Sequence, residues 1–299
     1  MTKRGDMSLR GSARIIVILI VVGTTLAAVE QGRLSKTAVY VAAARAVGSQ
    51  DPDPRSRNPD YLAIKFLGPR ERAVLPELQL DALDRAFEDG IKALGPFIVQ
   101  IMTYRTKRFD AALLDALQDG ATQVVVLGAG FDSRAYRFHS QLRDVSVMEV
   151  DQGPTQAYKQ RRLGEILEAI PSNVSFVPMD FTKDSLLEKL SDAGYSEQEN
   201  TVFLWEGVTY YLPESAVKDT LHFVRDHSAA GSRIVFDYFG ASNPALNNPL
   251  HQYARWGEPL LFGFPNDRAR EYVQQEGLGV LSDTQGLEYI CIAEVPNKR

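Results

Sequence analysis

The sequence predicts an α/β protein whose open, largely parallel sheet is covered by helices on both faces. Apolar segments rich in β-branched residues begin at 123, 146, 174, 201 and 233. Consecutive starts lie 23 to 32 residues apart, the length of repeated βαβ units. These segments alternate little between polar and apolar residues, as strands buried on both faces do. Helical patterns run between them, such as Leu163, Ile166, Leu167 and Ile170, then Val217, Leu221 and Val224.

The first strand, Gln123-Val-Val-Val-Leu127, stops at Gly128-Ala-Gly130, and Asp132-Ser133 follows as a helix-starting pair. This is a tight strand-to-helix turn. Its glycines allow close approaches that a side chain would block, and the helix start offers free N–H groups to a polar ligand. The second strand, 146–150, leads into Asp151, 21 residues after Gly130. A carboxylate at that strand tip is placed to accept hydrogen bonds from a ribose. Strands at 174–178, 201–205 and 233–237 continue the series, and a last strand is predicted at 287–293. Pro213 stands at the first position of the helix after 212.

Before the sheet, 35–50 reads as a helix, 51–59 as a Pro- and Asp-rich loop, and 60–100 as short helices broken at Gly68-Pro69, Pro76 and Gly95-Pro96. Phe109, Leu113, Leu114 and Leu117 form one stripe of a helix over 103–119, ending at Gly120. Residues 240–270 break the βα rhythm with Asn, Pro and Gly, and so long an irregular insert marks a lid or binding loop.

Composition narrows the function. With 44% hydrophobic residues and 24% charged, the 299-residue chain has material for a sizeable core. With a net charge of −5, nothing global favours nucleic acid, whose binders usually carry a basic patch. One cysteine, Cys291, and four scattered histidines suggest no metal site, and Cys291 in an apolar run reads as a core residue.

The N-terminus is basic (Lys3, Arg4, Arg10, Arg14) and then uncharged from Ile15 to Val29. At about 1.5 Å per residue this run reaches only ~22 Å, marginal for a ~30 Å hydrocarbon core. A signal, a membrane-associated segment and an unused extension all remain open for residues 1–34. A cytoplasmic location follows from the use of a cofactor made in the cytosol, and export is the alternative.

The cofactor is narrowed by what the turn lacks. A dinucleotide fingerprint wants a third glycine at the position held by Ser133, which counts against NAD or FAD. Asp180 ends the third strand and Glu206 ends the fourth. With Asp151, three successive strands present a carboxylate at the carboxyl edge of the sheet, an array that repels a second phosphate. It suits S-adenosylmethionine, which has ribose hydroxyls, an adenine amino group and a positive sulfur, but no phosphate.

Five segments taken together resemble the leucine carboxyl methyltransferase family, and within it the bacterial S-adenosylmethionine-dependent O-methyltransferases. They are Arg105-Thr-Lys-Arg-Phe-Asp110, Leu127-Gly-Ala-Gly-Phe-Asp-Ser-Arg-Ala-Tyr-Arg137, Glu149-Val-Asp151, Pro178-Met-Asp-Phe181 and Trp205-Glu-Gly-Val-Thr-Tyr-Tyr-Leu-Pro213. The likeness runs from about Thr37 to Ile292. It implies a class I methyltransferase fold, a Rossmann-like doubly wound sheet of seven strands with the last antiparallel. The domain reading is then a helical cap over 35–120 and a cofactor-binding α/β domain over 121–299, together one unit.

The resemblance also implies roles. Arg105 would hold the cofactor's carboxylate, and Gly128 would sit under its methionine part. Asp151 would take the ribose hydroxyls, Asp180 and Phe181 would flank the adenine, and Glu206 would line the methionine end. Tyr211 matches a tyrosine beside the methyl acceptor. The acceptor would be a carboxylate or hydroxyl on a small molecule or peptide. A carboxylate needs no general base; for a hydroxyl, His251 in the insert is the histidine to consider. Glu206, straight after an apolar strand, is hard to explain structurally, because an unpaired buried carboxylate is costly. A nicotinamide-dependent oxidoreductase and a cofactor-binding module without catalysis are the alternative readings.

Overall fold

The chain is described by a computed structural model that covers residues 34–68 and 95–297. The apolar run 15–29 and most of the short helices expected over 60–100 lie outside the described residues. Helix α1 (Lys36–Gly48) starts at Ser35, whose hydroxyl accepts from the Ala38 N–H as an N-cap. A single helical turn, α2 (Ala63–Phe66), follows. Helix α3 (Gly95–Gln118) is longer than the predicted 103–119. The predicted break at Gly95-Pro96 falls on its first residues, where proline is tolerated because its missing N–H costs nothing.

The sheet begins with β1 (Gln123–Leu127), one turn of helix α4 (Arg134–Arg137), and β2 (Ser146–Asp151). Helix α5 (Gly153–Ile166), β3 (Val174–Pro178), α6 (Leu186–Asp192) and β4 (Thr201–Trp205) continue it. The stripe read from Leu163 to Ile170 therefore outruns its helix, which stops at Ile166 before Pro171. After a 3₁₀ turn (Thr209–Tyr211) come α7 (Glu214–Asp226) and β5 (Arg233–Tyr238). Pro213 caps α7 from just outside it, with an extended ψ of 153°, and is not the first helical residue. The insert holds a short helix α8 (Gln252–Arg255). Helix α9 (Ala269–Gln275), β6 (Gly279–Gln285) and β7 (Tyr289–Glu294) complete the fold.

The seven strands lie in the order β3-β2-β1-β4-β5-β7-β6. From β3 through β5 they are parallel, with Gln123 opposite both Ser146 and Thr201. β7 runs antiparallel to β5 and to β6. This is the seven-stranded, doubly wound α/β sheet, with its last strand antiparallel, that the resemblance implies. β6, an edge strand, is not legible in the sequence because its Gly-Val-Leu-Ser-Asp-Thr-Gln is polar at most positions.

Alternate residues of the central strands feed two cores. Val124, Val126, Val147, Val202 and Leu204 face α1, α3 and α5. Val125, Leu127, Met148, Phe203, Trp205 and Phe236 face α6, α7 and α9. Both faces being buried explains why these strands read as unbroken apolar runs. The exception, Glu149 within β2, is fully buried and paired with Lys159 at 2.7 Å, as a buried charge must be.

Candidate active site

At the end of β1 the chain enters left-handed backbone, with φ of +68° at Gly128 and +40° at Gly130. A Cβ on Gly128 would collide with the Val208 side chain, so glycine is required there for space as well as for conformation. The Ala129 N–H bonds to the Val150 carbonyl at 2.8 Å, which stitches the turn to β2. Asp151 then reaches across: its Oδ2 accepts from the Gly130 N–H at 2.5 Å and its Oδ1 from the Gln152 N–H at 2.6 Å. Burial raises the Asp151 pKa above the usual carboxylate range, partly offset by those two N–H donors. Each carboxylate oxygen keeps further acceptor capacity.

A cavity of about 560 Å³ opens over this turn at the carboxyl edge of the sheet. The seven site residues expected from the sequence, Arg105, Gly128, Asp151, Asp180, Phe181, Glu206 and Tyr211, all line it. They come from α3 and from the ends of β1, β2, β3 and β4, where ligands of open α/β sheets bind.

Glu206 is not the unpaired carboxylate that its sequence context suggested. Its Oε1 accepts from Arg105 Nε at 3.1 Å and lies 3.8 Å from an Arg45 nitrogen, while Oε2 is 2.7 Å from an Arg134 nitrogen. Burial opposes its ionisation, but Arg134, Arg105 and Arg45 outweigh burial and lower its pKa below the ordinary value. Arg134 is itself held by Asp110 and Asp132, and Arg45 by Asp60 and the Phe131 carbonyl. A buried lattice of arginines and carboxylates thus forms the inner wall of the cavity.

Arg105 is 2% exposed and faces three acids. Its Nε meets Glu206, and one terminal nitrogen meets Asp237 at 2.9 Å, Glu288 at 3.1 Å and the Tyr210 hydroxyl at 3.3 Å. The other terminal nitrogen hydrogen-bonds only to the Met102 sulfur among the described residues, leaving it N–H capacity. Glu288 is raised well above the ordinary carboxyl range, first by burial and then by adjacent Asp237, against the pull of Arg105.

Asp180 plays a partly structural part. Its Oδ1 accepts from the Thr182 N–H and hydroxyl, and its Oδ2 from Lys183 at 2.7 Å, so it closes the turn after β3 while its side chain lines the cavity. Phe181 lies beside it, half-buried. Burial raises the Tyr211 pKa well above that of a free phenol, with Tyr253 and Glu258 adding to the shift, so this residue is a neutral hydroxyl.

Several residues escaped the sequence reading. Glu258 of the insert crosses back to cap α1, accepting from the Lys36 N–H at 2.8 Å, the Thr37 N–H at 3.2 Å and the Thr37 hydroxyl. The Leu261 N–H bonds to the Tyr210 carbonyl at 2.6 Å, so the insert is fastened on both sides of the cavity. Asp237, near the end of an apolar strand, carries the same signal that singled out Glu206. Arg45, alone among alanines, is the other mark that could have been noticed. His251 lines neither this cavity nor its neighbour; its ring packs on Tyr253 at 4.8 Å.

A second cavity of about 370 Å³ adjoins the first beneath the insert. Thr37, Val41, Arg105, Tyr210 and Tyr211 line both.

Comparison with known proteins gives a family match and close relatives. The sequence pattern described as "Leucine carboxyl methyltransferase" matches residues 38–225. A Mycolicibacterium gilvum protein named "Putative S-adenosyl-L-methionine-dependent methyltransferase" is 33% identical over 229 residues, covering 73% of this chain and 72% of that protein. The like-named YktD of Bacillus subtilis is 33% identical over 53% of this chain, about half (54%) of its own length. Among solved structures, an O-methyltransferase family protein from Burkholderia thailandensis superposes with a TM-score of 0.47 at 10% identity. That match covers 79% of this chain and 63% of the other and is too loose to add to the relatives.

Proposed function

This chain belongs to the leucine carboxyl methyltransferase family and is an S-adenosylmethionine-dependent methyltransferase, and on that premise we propose that it methylates an oxygen of its acceptor. The observation that carries the reading is the pairing, in one cavity, of a glycine turn closed by Asp151 with Glu206 in its arginine frame.

The donor set fits the cofactor. Asp151 has acceptor capacity for ribose hydroxyls after its two backbone bonds. The free N–H of Arg105 suits a carboxylate, and Glu206 suits an ammonium or a sulfonium, its own charge assured by three guanidiniums. Asp180 and Phe181 would flank the adenine, and Gly128 would leave room for the methionine part. When bound, S-adenosylmethionine supplies a methyl group already activated on sulfur, whose carbon bonds to the acceptor oxygen as the carbon–sulfur bond breaks onto sulfur.

The protein's own task is alignment, worth about 7–11 kcal/mol of barrier in favourable cases. Tyr211, at the junction of the two cavities, is the residue placed to orient the acceptor. A carboxylate acceptor has no proton to lose, and a hydroxyl acceptor would release its proton to water. We take the acceptor to be a small molecule or a peptide and assign the reaction to the cytosol, where the cofactor is made.

The test is transfer of labelled methyl from the cofactor to a panel of hydroxyl, carboxylate and amine acceptors. The reading predicts a labelled ether, or an ester that releases methanol in alkali. Labelling of amines alone would contradict it, and cofactor binding without any turnover would favour a non-catalytic module.

A further inference from the structure

The second cavity is walled mainly by aromatic and aliphatic side chains from four parts of the chain. Ile98, Ile101 and Met102 come from α3, Tyr210 and Tyr211 from the turn after β4, Tyr238 and Phe239 from the end of β5, and Tyr253 from the insert. Tyr210 and Phe239 stack at 4.2 Å with their planes 12° apart, giving the wall a flat aromatic element. Tyr211 and Tyr253 meet edge to face at 6.2 Å. A cavity of this size, apolar with a few convergent polar groups, is an ordinary small-molecule site.

Its charges speak against an anion. Among the described residues, Arg105, Asp267 and Glu288 are the charged ones of its lining. Arg105 already faces Glu206, Asp237 and Glu288 at 2.9 to 3.1 Å. The Arg105 charge is thus already engaged by acids, and Asp267, which bonds to Ser242, adds a carboxylate to the lining. Among the described residues, a carboxylate entering here would lose its hydration and meet only Arg105, whose charge Glu206 and Asp237 already engage, an expensive transfer. An aromatic hydroxyl would lose little, stack on the tyrosines and reach the first cavity past Tyr210 and Tyr211.

We propose that this second cavity binds the methyl acceptor, and that the acceptor is an uncharged aromatic hydroxyl compound, not a carboxylate and not a peptide C-terminus. This rests on the methyltransferase reading above and narrows its acceptor.

The experiment is calorimetric titration of the full-length protein, saturated with S-adenosylhomocysteine, with a naphthol, the matching naphthoate and a dipeptide ending in leucine, near neutral pH. The expected result is saturable binding of the naphthol at least about tenfold tighter than either acid, a difference of about 1.4 kcal/mol. Ile101→Trp, which would fill the cavity from α3, is expected to abolish naphthol binding and leave S-adenosylhomocysteine affinity unchanged. Leu287→Trp, at a lining residue of the β6–β7 turn, gives the same readout should the first variant fail to fold. Equal or tighter binding of the naphthoate or the peptide overturns the proposal, as does naphthol binding that survives both tryptophans. Failure of S-adenosylhomocysteine itself to bind would overturn the cofactor reading, and this proposal with it.

Discussion

Glu206 Oε1 accepts a hydrogen bond from Arg105 Nε at 3.1 Å, joining the end of β4 to the middle of α3 across 101 residues of chain. The contact makes the helical N-terminal part a wall of the candidate cofactor cavity. It also ties stability to the site, because each residue is buried and each is the other's counter-charge.

Removing the charge of Glu206 should therefore unfold the protein more easily as well as empty the site. Glu206→Gln leaves three buried guanidiniums short of one carboxylate, a change expected to cost on the order of 3–5 kcal/mol. Denaturant titration reads this as a lowered midpoint with an unchanged slope. An unchanged midpoint would mean that water, and not Glu206, balances the arginines.

The collision awaiting a side chain at Gly128 gives a second test. Gly128→Ala adds a methyl against Val208 at a φ of +68°, with about 1–3 kcal/mol of backbone strain alone. Adding Val208→Ala should recover the packing part of the loss but not the strain, so the double variant should be more stable than Gly128→Ala. Simple additivity of the two losses would contradict the contact.

Glu288 makes a pH prediction. Its folded pKa is raised well above its ordinary value of 4.5, so the folded state holds a proton that the unfolded chain releases. The stability it contributes is full below pH 4.5 and is lost as pH rises toward the folded value. In the wild type this slope approaches about −1.4 kcal/mol per pH unit. Glu288→Gln removes it. Urea unfolding of both proteins between about pH 5 and about pH 8 should show their stability difference shifting in the variant's favour as pH rises. A difference independent of pH would show that Glu288 titrates normally.

Glu258 fastens the insert to the start of α1. Glu258→Ala should cost about 1 kcal/mol of capping and speed amide exchange in the first turn of α1. Faster release of S-adenosylhomocysteine is expected with it, since the same residue lines the cavity. Unchanged exchange at Lys36 and Thr37 would argue against the latch.

How much was legible in the sequence follows from where each signal lies along the chain. The strands from β1 to β5 stood out because both their faces are buried, which leaves unbroken apolar runs bounded by turns. β6 did not, since an exposed edge strand can be polar at nearly every position. Asp151 and Glu206 were visible as acids ending apolar runs. Their setting was not, because the partners of Glu206 sit at positions 45, 105 and 134 and meet only through the fold. The Glu258 cap on α1 was hidden for the same reason, with 222 residues separating the partners.

The central claim is that the cavity closed by Asp151 and Glu206 takes S-adenosylmethionine. Calorimetric titration of S-adenosylhomocysteine into the full-length protein, with NAD as comparator, tests it most directly. The account predicts saturable binding of S-adenosylhomocysteine, none of NAD, and loss of the first in Asp151→Ala with the fold retained. Binding of NAD, or S-adenosylhomocysteine binding indifferent to Asp151→Ala, would contradict it.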